Sequence, residues 1–472
     1  LAIRKKPIGS RRLRRRDRGT TTAERTPDNL LSYLDQAMFL GLRATGHESV
    51  MQGVWIYEHP VDMDGLRRFH RNFGHGIAGR RIEPSPLPFG RHRWVSTPGP
   101  ATEMDVATVP ITRAELSDWI DERAQRTVDP VRGPGWHLAV QPLTDGSTAV
   151  TLVGSHCLGD GGGALLTVYE AVTGNLRDLG YPPPGSRTRT AALAEDTRQV
   201  VRDLPELGRT LRRAARALVQ RRDTVTGARD KRPTPVSTGD PDEIVREPAV
   251  AVFIDSAEWD ARADALGGNS YSLLAGIGAR MSQHVGRHRP GDGPVPFIVP
   301  FNDRDLTDTR ANAVTLATPK IDPQNVTSDL SGVRAAIKEA STTMREVPDE
   351  TLALLPVTPF IPKRAVKASA NMAFGFAGLP VSCSNMGSLP DEIGRIDGTD
   401  AEYVIFRGVD RNITRRDLDQ LRGLLTVVAG RVGGTVSVAV IGYQPGEVET
   451  KAHLRELTEK TLTEFGLTGM VI

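Results

Sequence analysis

One stretch, "TAVTLVGSHCLGDGGGALLTVYEAV" over residues 148–172, constrains the fold more than any other. An apolar, β-branched run reads as buried strand, and "ALLTVYEAV" reads as helix. The connection carries His156, Asp160 and the glycines Gly161, Gly162 and Gly163. "WHLAVQPL" lies just upstream and is joined by the turn "TDGS", so a hairpin is expected to feed directly into a helix. The glycines admit left-handed dihedrals and close backbone approach. His156 falls where the strand ends, at the rim of a core. Two readings of the connection stay open: a glycine turn capped by Asp160, or a loop presenting His156 as a proton acceptor.

At 472 residues the chain is too long for one core, so more than one lobe is expected. Strands and helices alternate without strict βαβ order, which points to an α/β sandwich of two lobes. The expected division is a basic tail at 1–25, an N-terminal lobe at 26–185, a linker at 186–248 with a basic amphipathic helix, and a C-terminal lobe at 249–472.

In the first lobe, "NLLSYLDQAMFL" begins the fold and "VMQGVWIYE" is a strand. Leu66, Phe69, Phe73 and Ile77 mark one helical face. Thr112 and Glu115 form a capping-box pattern before Leu116, Trp119 and Ile120. In the second lobe, strand "PAVAVFID" and a helix near Glu258–Leu266 come first. A helix with Leu273, Leu274, Ile277, Met281 and Val285 on one face follows, then strands "VPFIVPF", "NAVTLATPKI", "LPVSCSNMG", "AEYVIF" and "GTVSVAVIGY". A helix near Ser328–Met344 and a final helix near Lys451–Phe465 complete it.

No apolar run reaches the roughly 18–20 residues of a membrane span. The basic N-terminus is not followed by an apolar segment, so no signal peptide is expected. Cys157 and Cys383 are the two cysteines, too few for a disulfide framework, which suits a reducing cytoplasmic setting. Residues 1–18 carry nine Lys/Arg and one Asp, which leaves −5 on the remainder of a chain whose total is +3. Without interleaved aromatics, nucleic-acid binding is not expected, and a solvated tail is. Eight arginines lie between Arg198 and Arg222, along a segment with Leu204, Leu207, Leu211, Ala215 and Leu218 at near-helical spacing. That segment is either a surface helix packed on the body or a helix lying on an anionic membrane at the inner face.

The run Ser155-His156-x-x-x-Asp160-Gly161 resembles the HHxxxDG motif of the CoA-dependent acyltransferase superfamily, which includes chloramphenicol acetyltransferase and nonribosomal peptide condensation domains. "LSYLDQAMFL", "VPFIVPFNDRD", "VSCSNMGSLP" and "GGTVSVAVIGY" are similar, in order, to segments of its bacterial wax ester synthase/diacylglycerol acyltransferase branch. The resemblance covers roughly residues 30–470. Ser155 stands where the motif has its first histidine. "AFGFAG" at 373–378 lacks the aspartate of the "DFGWG" motif found in other branches.

The resemblance implies two chloramphenicol-acetyltransferase-like lobes with a tunnel between them. It makes His156 the general base that moves an acyl group from acyl-CoA, a co-substrate rather than a bound cofactor, to the hydroxyl of a lipid-like alcohol or diacylglycerol. Asp160 then shapes the loop through a salt bridge. Arg304 in "NDRD" is its expected partner, with a surface position beside Asp303 and Asp305 as the alternative. Ser155, Asn312, Ser384 and Asn385 match tunnel-lining segments. Other expectations remain beside this one: a carrier-protein thioester as donor with an amine or sugar hydroxyl as acceptor, or a non-catalytic acyl-binding relative. Strand alternation turns Cys157 away from the face that His156 takes, as a small buried hydrophobe. His284 and His288 stand four residues apart, yet no third ligand accompanies them, so they read as solvated and no metal is expected. There is no Walker loop or dinucleotide fingerprint.

Overall fold

The computed structural model describes residues 28–222, 237, 239–289, 291–305, 307–346, 352–361 and 379–472, with backbone alone over 213–222. The basic tail, residues 223–236 of the linker and the 373–378 segment lie outside them.

The first half supplies α1 (Tyr33–Thr45), β1 (Glu48–Tyr57), α2 (Met63–Phe73), β2 (Arg80–Glu83), β3 (Arg93–Ser96), β4 (Asp105–Val106), α3 (Leu116–Ala124), β5 (Trp136–Pro142), β6 (Thr148–Ser155) and α4 (Gly161–Thr173). β5 and β6 form the expected hairpin, with Leu138 opposite Leu152. Trp136, Leu138, Val140, Val150 and Leu152 turn to one face and meet Trp55, Leu66 and Phe69 in a core under α2 and α4. The capping box closes between Thr112 and Glu115.

The long helix α5 (Arg189–Arg222) contains Pro205 and leads to the second half. There β7 (Ala249–Asp255), α6 (Ser256–Ala265), α7 (Ser270–His284), β8 (Val295–Asn302), β9 (Val314–Ala317), β10 (Lys320–Ile321), α8 (Ser331–Glu346) and β11 (Val381–Ser388) follow. β12 (Tyr403–Arg411), α9 (Arg415–Leu421), β13 (Leu424–Val432), β14 (Thr435–Tyr443), α10 (Lys451–Glu464) and β15 (Met470–Val471) complete the chain. The larger sheet runs β10-β8-β11-β13-β14-β7-β15, with β9 also on β8. Residues 424–443 make two strands, because Gly433 and Gly434 turn the chain back on itself, pairing Leu424 with Tyr443.

The smaller sheet runs β12-β1-β6-β5-β4. β12 therefore leaves the second half of the sequence and pairs with β1, Val404 opposite Trp55. On the way the chain presses on α2: a Cβ on Gly65 would fall 1.6 Å from the Asp397 carbonyl oxygen. Asp397 also accepts a bond from the Asp62 amide at 2.8 Å. The other face of β1, through Val54 and Ile56, packs with Ile405 against Ala251, Phe253, Ala439 and Ile441 of the larger sheet. With both faces buried, β1 carries an almost unbroken apolar run. Among the described residues no helix is long and apolar enough to cross a membrane.

Candidate active site

β6 ends at Ser155, and His156 begins a tight turn that reaches α4 through its N-cap, Asp160. The His156 amide donates to the Ser49 carbonyl at 2.9 Å, which fixes the turn to β1. Ser155 pairs with Val50, is 1% exposed, and accepts the Cys157 amide through its hydroxyl at 3.4 Å. Nδ1 of His156 is buried and without a hydrogen-bond partner among the described residues. Burial pushes the thiols of Cys157 and Cys383 up to about 12, so neither is a thiolate nucleophile near neutral pH.

Asp160 is 2% exposed and fully engaged. Its Oδ1 accepts from the Gly163 amide at 2.7 Å and from Arg304 Nη2 at 3.1 Å. Its Oδ2 accepts from the Ala313 amide at 2.7 Å. The aspartate therefore builds the loop and makes no hydrogen bond to His156. Arg304 also donates to the carbonyls of Arg310 at 2.8 Å and Ala311 at 2.9 Å, closing its own loop into a rigid hook.

The glycines act differently from expectation. None of Gly161, Gly162 and Gly163 adopts positive φ, because all three form the first turn of α4. Gly161 faces open space. Added Cβ atoms would lie 3.2 Å from Asn302 Nδ2 at Gly162 and 3.2 Å from Arg304 Nη2 at Gly163. Close approach, rather than backbone freedom, is the use of the second and third glycines.

Two residues outside the sequence expectations complete the framework. Asp35 of α1 is wholly buried and accepts from the amides of Ala311 at 3.0 Å and Asn312 at 2.8 Å, and from Asn312 Nδ2 at 3.1 Å. Asn312 is thus held by Asp35. Arg80 donates to the carbonyls of Leu158 at 3.0 Å and of Thr309. An aspartate between buried Leu31 and Phe39 was the available signal for Asp35. Nothing local singles out Arg80.

Asn385 lies apart from His156 in sequence and bounds a cavity of about 240 Å³ with Asp260, Ser270, Tyr271, Ser388 and Arg431. Its side chain donates to Ser270 Oγ at 3.1 Å, and its carbonyl accepts from the Tyr271 hydroxyl at 2.7 Å. Ser384, half-buried on β11, is not among the residues lining it. Tyr271 stacks on Phe301, and the next residue, Asn302, lies beside Gly162.

His284 and His288 are not solvated. His284 meets Thr461 at 2.9 Å and Glu464 at 3.2 Å, and His288 is 6% exposed. Among the described residues no His/Cys/Asp/Glu group is arranged to hold a metal.

No family model and no curated protein matches the chain. Solved structures do. The first condensation domain of the CDA synthetase is similar with a TM-score of 0.55 at 14% identity, covering 94% of this chain and 99% of that one. The wax ester synthase/diacylglycerol acyltransferase from Marinobacter aquaeolei VT8 gives 0.53 at 15% identity, covering 92% and 98%. A nonribosomal peptide synthetase in an AMPPNP-bound form gives 0.51 at 17% identity, covering 94% of this chain and 44% of that one. The chain has the two-lobed fold of condensation domains and of that wax ester synthase.

Proposed function

We propose that the protein is an acyltransferase in which His156 is the general base, moving an acyl group from acyl-CoA to the hydroxyl of a lipid-like alcohol. One observation carries this reading. His156 stands on a turn clamped from both halves of the chain, while its buried Nδ1 has no hydrogen-bond partner among the described residues. His70 and His137 also keep a buried ring nitrogen without a partner among the described residues, so the support comes from the placement of His156 on the clamped turn between β6 and α4.

The step balances without a covalent enzyme intermediate. Neutral His156 takes the hydroxyl proton as the oxygen bonds to the thioester carbon. The carbon–sulfur bond then breaks, and the protonated imidazole gives its proton to the departing thiolate. The products are an ester and free CoA. Asp160, Arg304 and Asp35 position the turn and touch neither substrate.

The polar cavity at Asn385 favours a second reading. Asp260, Ser270, Tyr271 and Arg431 suit amide, amine or hydroxyl groups better than an alkyl chain. A carrier-protein thioester donor with an amine or sugar hydroxyl acceptor is consistent with them. Contact with an anionic membrane is supported by α5. Leu193, Val201, Leu204 and Leu211 are 42%, 59%, 49% and 50% exposed. At the helical period they fall within an arc of about 80°. Arg198, Arg202 and Arg212 lie to one side of that stripe and form no ion pair among the described residues.

Thiol release from palmitoyl-CoA, with hexadecanol, diacylglycerol, an amine and no acceptor in parallel, tests the proposal. Release that depends on an alcohol supports it. Release only with a loaded carrier protein assigns the second reading. Binding of acyl-CoA without release under any condition contradicts both and leaves a non-catalytic acyl-binding protein.

A further inference from the structure

Arg80 is 1% exposed and forms no ion pair among the described residues. Buried charges are rarely left without a counter-charge, because desolvation costs several kcal/mol. Its surroundings supply part of one: the Asp35 carboxylate lies near enough to favour the charge, and Tyr181 hydrogen-bonds the guanidinium, although neither forms an ion pair with it. Asp35 is committed to Ala311 and Asn312, and Asp160 to Arg304. The guanidinium lies 3.8 Å from the Trp94 ring centre, two of its nitrogens reach carbonyls, and Nε is buried without a hydrogen-bond partner of its own among the described residues. Arg287, also fully buried, differs in that all three of its nitrogens donate to carbonyls.

Arg80 also lines a cavity of about 300 Å³, together with His75, Ser96, Arg177, Asp178 and Tyr181. Arg177 is paired with Glu170 at 2.5 Å, and Asp178 accepts from the Gly180 amide at 2.8 Å. The wall therefore combines a buried guanidinium that lacks an ion pair with a second guanidinium paired with Glu170, an imidazole, two hydroxyls and the Asp178 carboxylate. That set matches a tetrahedral oxyanion, which accepts several directed hydrogen bonds at once.

We propose that this cavity binds a phosphate-type oxyanion, either free or carried on a phosphomonoester, with Arg80 as its counter-charge. The site is separate from the proposed chemistry at His156 and does not depend on it. It touches that chemistry through one group, since Arg80 holds the Leu158 carbonyl in the His156 turn.

Calorimetric titration of the full chain with inorganic phosphate, at ionic strength matched with sodium chloride, tests this. The expected result is saturable binding at one site, weakened at least about tenfold by Ser96→Asp. That substitution places a carboxylate beside Arg80, so it should also raise the melting temperature in phosphate-free buffer. His75→Glu supplies the same repulsion from the opposite wall should Ser96→Asp fail to fold. Displacement of bound phosphate by phenyl phosphate assigns a phosphomonoester, and failure to displace it assigns the free ion. The absence of saturable binding, or equal affinity in wild type and the folded variants, overturns the proposal.

Discussion

Arg304 sets a guanidinium nitrogen 3.1 Å from Asp160 Oδ1 across 144 residues of chain, with both side chains 3% exposed. The contact hooks the second half of the molecule onto the turn that carries His156. Removing one member of such a pair leaves the other buried and uncompensated. Asp160→Ala and Arg304→Ala are each expected to lower stability by about 3–5 kcal/mol. The double variant should lose clearly less than the sum of the two. Urea denaturation of the four proteins measures this, and additive losses would show that the pair is not coupled.

Asp35 makes the same kind of connection from α1. Asp35→Asn keeps the shape but replaces one acceptor oxygen by an NH2 donor, which faces the donating amides of Ala311 and Asn312. The expected cost is about 1–3 kcal/mol. Transfer activity should fall through kcat rather than KM, because the group positions the turn and does not bind substrate. An unchanged kcat in a destabilised Asp35→Asn protein would confine Asp35 to stability.

Acid sensitivity follows from His92. Burial pulls its pKa down to about 4 from the ordinary 6.5, and Nδ1 accepts the Ser85 amide at 3.0 Å. The folded protein therefore keeps His92 neutral while the unfolded chain protonates it. This stability is fully present above pH about 6.5 and is lost as pH falls toward 4, on the order of 3 kcal/mol over that window. His92→Gln should be less stable than wild type near neutrality and should lose less of its stability on acidification. Parallel slopes for the two proteins between pH 6.5 and 4 would rule His92 out as the cause.

The exposed face of α5 gives a salt-dependent prediction. Flotation with vesicles containing anionic lipid should recover the wild type at low salt, with recovery falling at high salt. Replacing Arg198, Arg202 and Arg212 by serine should reduce recovery, while neutral vesicles recover little of either protein. Equal recovery of the two proteins on anionic vesicles would place the contact elsewhere.

Local patterning made the hairpin, α4, α7 and the capping box readable, because strand and helix periods and cap chemistry act over a few residues. His156 and Asp160 were legible as a pair from the turn they share. Arg304 was open between two positions, since nothing in "NDRD" says whether its side chain turns inward. β12 was not legible as a member of the first sheet, because "AEYVIF" carries no record of which edge it completes. Asp35 and Arg80 act on residues 276 and 229 positions away, so their roles appear only once the chain is folded. The three glycines looked like a left-handed turn and proved to be helix, with Gly162 and Gly163 packed close to Asn302 and Arg304.

The most direct measurement compares acceptor-dependent release of CoA thiol by wild type and His156→Ala, with folding of both checked by circular dichroism. A general base contributes roughly 10²–10⁴-fold. The account predicts a loss of that size in kcat, with acyl-CoA affinity retained. Turnover by a folded His156→Ala protein at the wild-type rate would contradict it and return His156 to a structural turn.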